Sequence, residues 1–146
     1  LTFVPLARGR LVCIVPDNHL LAARQSISAA ELAAMPLIGI DPSDPYGRVI
    51  TNVFTSLGLT CNVTIKARFG STVCALVAQG LGVAIVDEFT VAGGRFPVIR
   101  AIQIIEPAEF QTYVAFRKDA TLSSYCDFFV SSLRRAMEQT HAGSLK

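Results

Sequence analysis

Four carboxylates and two hydroxyls are the groups in this chain whose types and spacing could do chemistry: Asp41, Asp44, Asp87 and Glu88, with Ser71 and Thr72. Asp41 and Asp87 each close a short apolar run, Leu37–Ile40 and Val83–Val86, so each stands at the C-terminal end of a buried strand. A carboxylate there can take a cationic group through charge-assisted hydrogen bonds, or it can cap a turn. Both readings of Asp41 and Asp87 stand open. Asp44 precedes Pro45 and is better explained as a helix N-cap. Ser71 and Thr72 follow Phe69-Gly70 at the start of a short apolar helix, where unpaired N–H groups and the helix dipole favour anions. One of the two hydroxyls is expected to cap that helix and the other to face a ligand.

Catalysis finds little support. A Ser or Cys nucleophile needs a neighbouring base, and the only histidines are His19, in a turn after Pro16-Asp17-Asn18, and His141, near the C-terminus. No G-x-S-x-G elbow, Walker A loop or HExxH is present. Gly80-Leu81-Gly82 is not a dinucleotide fingerprint, because it follows a helix and opens a strand; Gly80 reads as a helix C-cap and Gly82 as a tight turn. Cys13, Cys61, Cys74 and Cys126 are widely spaced without a CxxC, which points to buried free thiols in a reducing compartment rather than to zinc. Asn62-Val63-Thr64 matches a glycosylation sequon but reads as strand sequence. The residues therefore favour a binding protein with no catalytic residue, metal or cofactor.

The elements that must position these groups alternate. Arg10–Pro16 is a strand apolar on both faces, as buried parallel strands are. Ser28-Ala29-Ala30-Glu31 is a capping box that opens a short helix stopped before Pro36. Leu37–Ile40 is the next strand, and Asp41-Pro42-Ser43-Asp44-Pro45 a rigid loop. A helix then buries Val49, Ile50, Val53, Phe54 and Leu57 and ends at Gly58. Asn62–Arg68 alternates, with Val63, Ile65 and Ala67 turned inward. The helix after Phe69, the strand to Asp87, and strands near Val98–Ile104 and Gln111–Arg117 follow. A last amphipathic helix from Thr121 to Met137 is expected to bury Leu122, Cys126, Phe129 and Leu133. His141–Lys146 is expected to be disordered. Strands followed by helices give an α/β fold with a mainly parallel sheet.

The 146 residues are 51% hydrophobic and 16% charged, enough for a core and unlike a disordered chain. A net charge of +2 gives no reason to invoke nucleic acid or membrane. No apolar run reaches the roughly 18 residues a spanning helix needs. Neither a signal peptide nor a methionine opens the chain, and the first clear strand lacks an upstream βα partner. Leu1 is accordingly expected to mark a fragment or a processed chain.

Several segments in order resemble one family. They are Arg10-Leu-Val-Cys-Ile-Val-Pro16, His19-Leu20-Leu21-Ala22, Ile27-Ser28 with Glu31-Leu32-Ala33, Pro36-Leu37-Ile38, and the run from Cys74 to Asp87. Together they resemble the effector-binding domain of LysR-type transcriptional regulators over about Pro5 to Met137. Ile40-Asp41-Pro42, Arg68-Phe69 and Val86-Asp87-Glu88-Phe89-Thr90 look most like the branch that senses opines, ornithine or related basic amino acids.

The resemblance implies a type 2 periplasmic-binding-protein-like fold. Two Rossmann-like α/β lobes carry mixed, mainly parallel sheets, with a small-molecule cleft between them. Residues 1–16 and 106–146 would be a partial first lobe and 17–105 a complete second lobe, with the DNA-binding helix-turn-helix domain absent. It implies an effector site of Asp41, Pro42, Ser43, Phe69, Gly70, Ser71, Thr72, Asp87 and Glu88. Asp41 and Asp87 would hold the cationic groups of an amino acid or opine, and the Ser71–Thr72 region its carboxylate. DNA would be reached only through the absent domain, in a cytoplasmic homodimer or homotetramer without membrane contact. A solute-binding receptor of the same fold is the alternative. Leu20 stands where the family commonly has proline after the histidine, and Glu88 replaces the proline of a Val-Asp-Pro pattern, adding a carboxylate.

Overall fold

The first strand, β1 (Thr2–Pro16), is longer than its apolar half and takes part in two separate packing arrangements. After it come a 3-10 turn (Leu20–Ala23), β2 (Ser26–Ile27), α1 (Ala29–Ala33), β3 (Leu37–Ile40), α2 (Pro45–Thr55), β4 (Val63–Ala67) and α3 (Gly70–Ala78). The chain continues through β5 (Val83–Asp87), α4 (Glu88–Val91), β6 (Ile99–Ile104), β7 (Glu109–Phe116) and α5 (Ser124–Gly143). The computed structural model describes residues 1–119 and 121–143. It divides into two compact units, Leu11–Ala108 and the pair Leu1–Arg10 with Glu109–Lys146.

In the larger unit the strands lie in the order β2-β6-β1-β5-β3-β4. Leu11–Pro16 of β1 is antiparallel to both neighbours, pairing Leu11 with Asp87 and Pro16 with Ile99. Its two-faced apolar pattern thus comes from a central place in the sheet with both faces covered, not from parallel pairing. β3 runs parallel to β4 and β5, and β2 parallel to β6, so the sheet is mixed. Val12, Ile14, Ile38, Val73, Cys74, Val77, Ala84 and Val86 make one buried cluster across β1, β3, α3 and β5. Each buried valine, leucine or isoleucine stabilises such a core by about 1.5–3 kcal/mol.

Local signals set the helix starts. Both arms of the Ser28–Glu31 capping box form: the Glu31 N–H donates to Ser28 Oγ at 3.2 Å, and the Ser28 N–H to Glu31 Oε2 at 3.0 Å. Asp44 caps α2 by accepting the Tyr46 N–H at 2.9 Å, with Pro45 at the first helical position. Ile50, Val53 and Phe54 are buried, whereas Leu57, beyond the helix end, is exposed. His19 serves the 3-10 turn, its Nδ1 accepting the Leu21 N–H at 3.2 Å. Among the described residues β4 is the outermost strand, with β3 on one side only; Val63 and Ala67 are half-buried but Ile65, expected inward, is exposed.

The smaller unit is a two-stranded antiparallel ribbon, β1 against β7, from Thr2–Phe116 to Arg10–Glu109, with α5 beside it. Its register breaks between Pro5 and Arg8, and side chains mend the gap. Thr112 Oγ1 accepts the Ala7 N–H at 3.1 Å and donates to the Ala7 carbonyl at 2.7 Å, while Gln111 Nε2 donates to the same carbonyl at 3.0 Å. Arg134 ties α5 down, donating to the carbonyls of Leu6 and Pro5 at 3.1 and 3.2 Å. Contrary to the expected burial, Leu122, Cys126, Phe129 and Leu133 are exposed, because a two-stranded ribbon has too little surface to cover that helix face. The helix also runs on through His141–Gly143, where disorder was expected; Ser144–Lys146 lie outside the described residues. Among the described residues no helix is long and apolar enough to cross a membrane.

Candidate ligand-binding site

Parallel strands end together, and the C-terminal ends of β3, β4 and β5 each hand the chain to a helix at the same edge of the sheet. Asp41, Phe69 and Asp87 occupy those three junctions, the place where α/β sheets gather ligands.

The β3–α2 junction is held tightly. Asp41 Oδ1 accepts the Ser43 N–H at 2.9 Å and the Ser43 hydroxyl at 2.8 Å, and Lys66 Nζ of β4 donates to Oδ2 at 3.1 Å. These donors, the two from Ser43 foremost, hold the carboxyl at about pKa 2 against an ordinary 3.8, so it is ionised at neutral pH. On its other side the loop packs closely against the first turn of α2, where a Cβ on Gly47 would stand 2.0 Å from the Asp41 carbonyl oxygen. Pro42 and Ser43 complete the loop, Pro42 half-buried and Ser43 exposed, and Arg48 Nη1 donates to the Ser43 carbonyl at 2.7 Å.

The β4–α3 junction differs from expectation. The N-cap is Phe69, which has no capping oxygen, so neither Ser71 nor Thr72 caps the helix; both lie exposed within its first turn. Phe69 is exposed as well, with the Arg68 guanidinium 5.8 Å from its ring centroid. Gly70 sits against α4: a Cβ there would meet the methyl and hydroxyl of Thr90 at 3.2 and 3.3 Å.

At the β5–α4 junction Asp87 is the N-cap. Its Oδ1 accepts the Thr90 N–H at 2.8 Å, and Oδ2 accepts the hydroxyls of Thr90 at 2.6 Å and Tyr46 at 2.5 Å. Tyr46 also accepts the Asp87 N–H at 2.8 Å. Burial, followed by the charge of Asp87, pushes the Tyr46 phenol well above its ordinary pKa. Burial, with Asp87 again second, raises the Cys74 thiol to about 11.

Tyr46, Thr90 and Lys66 therefore stitch the three junctions into one rim, and sequence reasoning missed all three. Nothing in sequence links position 46 to 87; only the distance of Tyr46 from its cap Asp44, which fixes its direction in the first turn, offered a signal. Of the expected residues, Asp41, Pro42, Ser43, Phe69, Gly70, Ser71, Thr72 and Asp87 lie along this rim. Glu88 does not open onto it: it is 3% exposed. Among the described residues no three acidic, cysteine or histidine side chains are grouped to hold a metal. The arrangement offers an ionised carboxylate at one end and an uncapped helix N-terminus with two hydroxyls at the other.

The LysR substrate binding domain family matches residues 1–138. Regulatory protein NocR of Agrobacterium tumefaciens is 33% identical over 90 residues, which is 62% of this chain and 30% of NocR. The crystal structure of HinK, a LysR family transcriptional regulator from Pseudomonas aeruginosa, superposes with a TM-score of 0.77 at 23% identity, covering 93% of this chain and 48% of that one. The regulatory domain of CcmR from Synechocystis, solved in complex with 2-PG, gives 0.73 at 20% identity, covering 94% of this chain and 67% of that one. The chain thus spans under a third of NocR and about half of HinK. Sequence match over nearly the whole length and the shared α/β fold agree: this chain belongs to the LysR substrate-binding domain family.

Proposed function

We propose that the chain senses a small amino-acid-like effector, an opine or basic amino acid among them, for a LysR-type transcriptional regulator. The observation that carries this reading is the pairing, on one rim, of the ionised Asp41 with the uncapped start of α3 bearing Ser71 and Thr72. A zwitterion needs both: an anion holder with N–H groups and a cation holder with charge. Lys66 is an exposed partner of Asp41 and exchanges readily for an effector ammonium. Asp87 takes all three of its donors from uncharged groups of the fold, Thr90 and Tyr46, and sets the shape of the rim, whereas one of the three donors on Asp41 is the exposed Lys66 ammonium, so cation binding falls to Asp41.

On this reading residues 17–105 form the second lobe of the effector domain, and residues 1–16 and 106–146 belong to the first. DNA is contacted by a separate helix-turn-helix domain, and the regulator acts in the cytoplasm as a homodimer or homotetramer. Effector binding shifts the population of its conformations and thereby its engagement of promoters. The homologous relationship to transcriptional regulators, rather than any catalytic group, supports sensing over turnover.

Calorimetric titration of the intact regulator with amino acids and opines tests this. The expected result is binding that Asp41→Ala weakens by about 10–100-fold, the span of a lost charge-assisted hydrogen bond. Unchanged affinity in both Asp41→Ala and the double variant Ser71→Ala/Thr72→Val would overturn the site.

A further inference from the structure

Arg68 stands one step beyond the last paired residues of β3 and β4. The register sets Gly39 beside Lys66 and Ile40 beside Ala67, so its next step brings Asp41 level with Arg68. Adjacent strands lie about 5 Å apart, well within an arginine's reach. Among the described residues, however, Arg68 makes no ion pair with Asp41. Lys66 holds that carboxylate instead, and the Arg68 guanidinium lies against the exposed Phe69 ring, 5.8 Å from its centroid. We infer, resting on the effector reading above, that Arg68 is a second anion holder of the same site, and that the effector is an amine bearing two carboxylates rather than a basic amino acid.

The chemistry of Arg68 suits that role. Among the described residues no side-chain hydrogen bond or ion pair engages it. Attraction to an aromatic face steadies a guanidinium without using its five N–H donors, which can still meet a carboxylate in bidentate fashion. Arg68 also immediately precedes Phe69, the N-cap of α3, so the two anion holders are neighbours in the chain.

The exchange at Asp41 points the same way. When an effector ammonium takes Asp41, Lys66 loses its carboxylate and stands with two other cations, the ammonium and Arg68. Like charges a few ångströms apart disfavour one another. Asp87 lies two strands from Arg68, about 10 Å away, where salt largely screens exposed charges. One effector carboxylate answers the start of α3, and a second answers Arg68 and the released Lys66. A basic amino acid would instead add an ammonium to three cations already present.

Calorimetric titration of the intact regulator tests this with L-aspartate, L-glutamate and 2,2′-iminodipropionate, each beside its monoamide, and with L-ornithine. At least one dicarboxylate is expected to bind about 10-fold tighter than its monoamide, the low end for a charged hydrogen bond because Arg68 is exposed. Arg68→Gln should abolish that preference while leaving the monoamide's affinity unchanged. Arg68→Lys, which keeps the charge but loses the planar fork, should retain part of it. A regulator without the preference, a preference that survives Arg68→Gln, ornithine bound more tightly than every dicarboxylate, or no dicarboxylate bound at millimolar concentration would each overturn the inference. Asp41→Ala separates the two levels: where it weakens binding and Arg68→Gln leaves the preference intact, the site stands and the role of Arg68 falls.

Discussion

The Tyr46 hydroxyl both donates to Oδ2 of Asp87, at 2.5 Å, and accepts the Asp87 backbone N–H, at 2.8 Å. One phenol thereby fastens the start of α2 to the end of β5 and the cap of α4. Removing it in Tyr46→Phe leaves a half-buried carboxylate and an N–H each short of a partner. A loss of about 1–3 kcal/mol in urea unfolding is expected. No change in the unfolding midpoint would mean that the bond adds nothing to the fold.

Gly47 has no room for a side chain. Because its Cβ would stand 2.0 Å from a backbone oxygen, Gly47→Ala must open the β3–α2 junction and is expected to cost about 3 kcal/mol or more. Gly58→Ala is the control: the space around it is open and only its φ of +70° opposes a side chain, a cost of about 1–2 kcal/mol. Equal denaturation midpoints for the two variants would contradict the close approach.

Asp41 sets a pH window. Its carboxyl is held at about 2, below its ordinary 3.8, so the stabilisation it gives its loop is complete above that ordinary value and disappears as pH falls through about 2. Effector affinity that depends on this charge should therefore be flat from about pH 5 to pH 8. Titration calorimetry across that range checks it, and a midpoint near neutrality would point to another group.

Burial holds the thiols of Cys13 and Cys74 at about 12 and 11. At pH 8 both are protonated as well as enclosed, so they react only when the sheet opens. Alkylation at least ~100-fold slower than in urea-unfolded protein is expected. Native labelling as fast as unfolded labelling would show that the core is loose.

Ser28→Ala removes one arm of the capping box and is expected to destabilise by about 1 kcal/mol. The other arm, Glu31, is held at about 2 by Arg24 first and by Ser28 next, against an ordinary 4.5. Its contribution is present above the ordinary value and lost as pH falls through about 2. Thermal unfolding of Ser28→Ala and its parent at neutral pH and near pH 2 should show the gap between them narrow in acid.

Residues whose signals are local were legible in the sequence. Ser28, Asp44, Pro45 and Gly80 act within a turn of their own position, and the structure places the helix limits beside them. Leu37–Ile40 and Val83–Asp87 could be read because both of their faces are covered. What escaped depends on what lies opposite. Leu122, Cys126, Phe129 and Leu133 have the spacing of a buried stripe, but spacing says nothing about whether a partner surface is present. The Tyr46–Asp87 bond spans 41 positions and has no periodic trace. Glu88 looked like a site carboxylate beside Asp87, yet one step along the chain turned it inward as the first residue of α4.

Lys66 answers to two demands at once. It neutralises Asp41 at 3.1 Å, and it stands exposed on β4, the last strand of the sheet. A charged, strongly hydrated side chain on an outermost strand resists the addition of a stranger's strand. Replacing Lys66 by valine to expose Asp41 would therefore also make the sheet adhesive, and the variant's solubility, more than its affinity, would register the change.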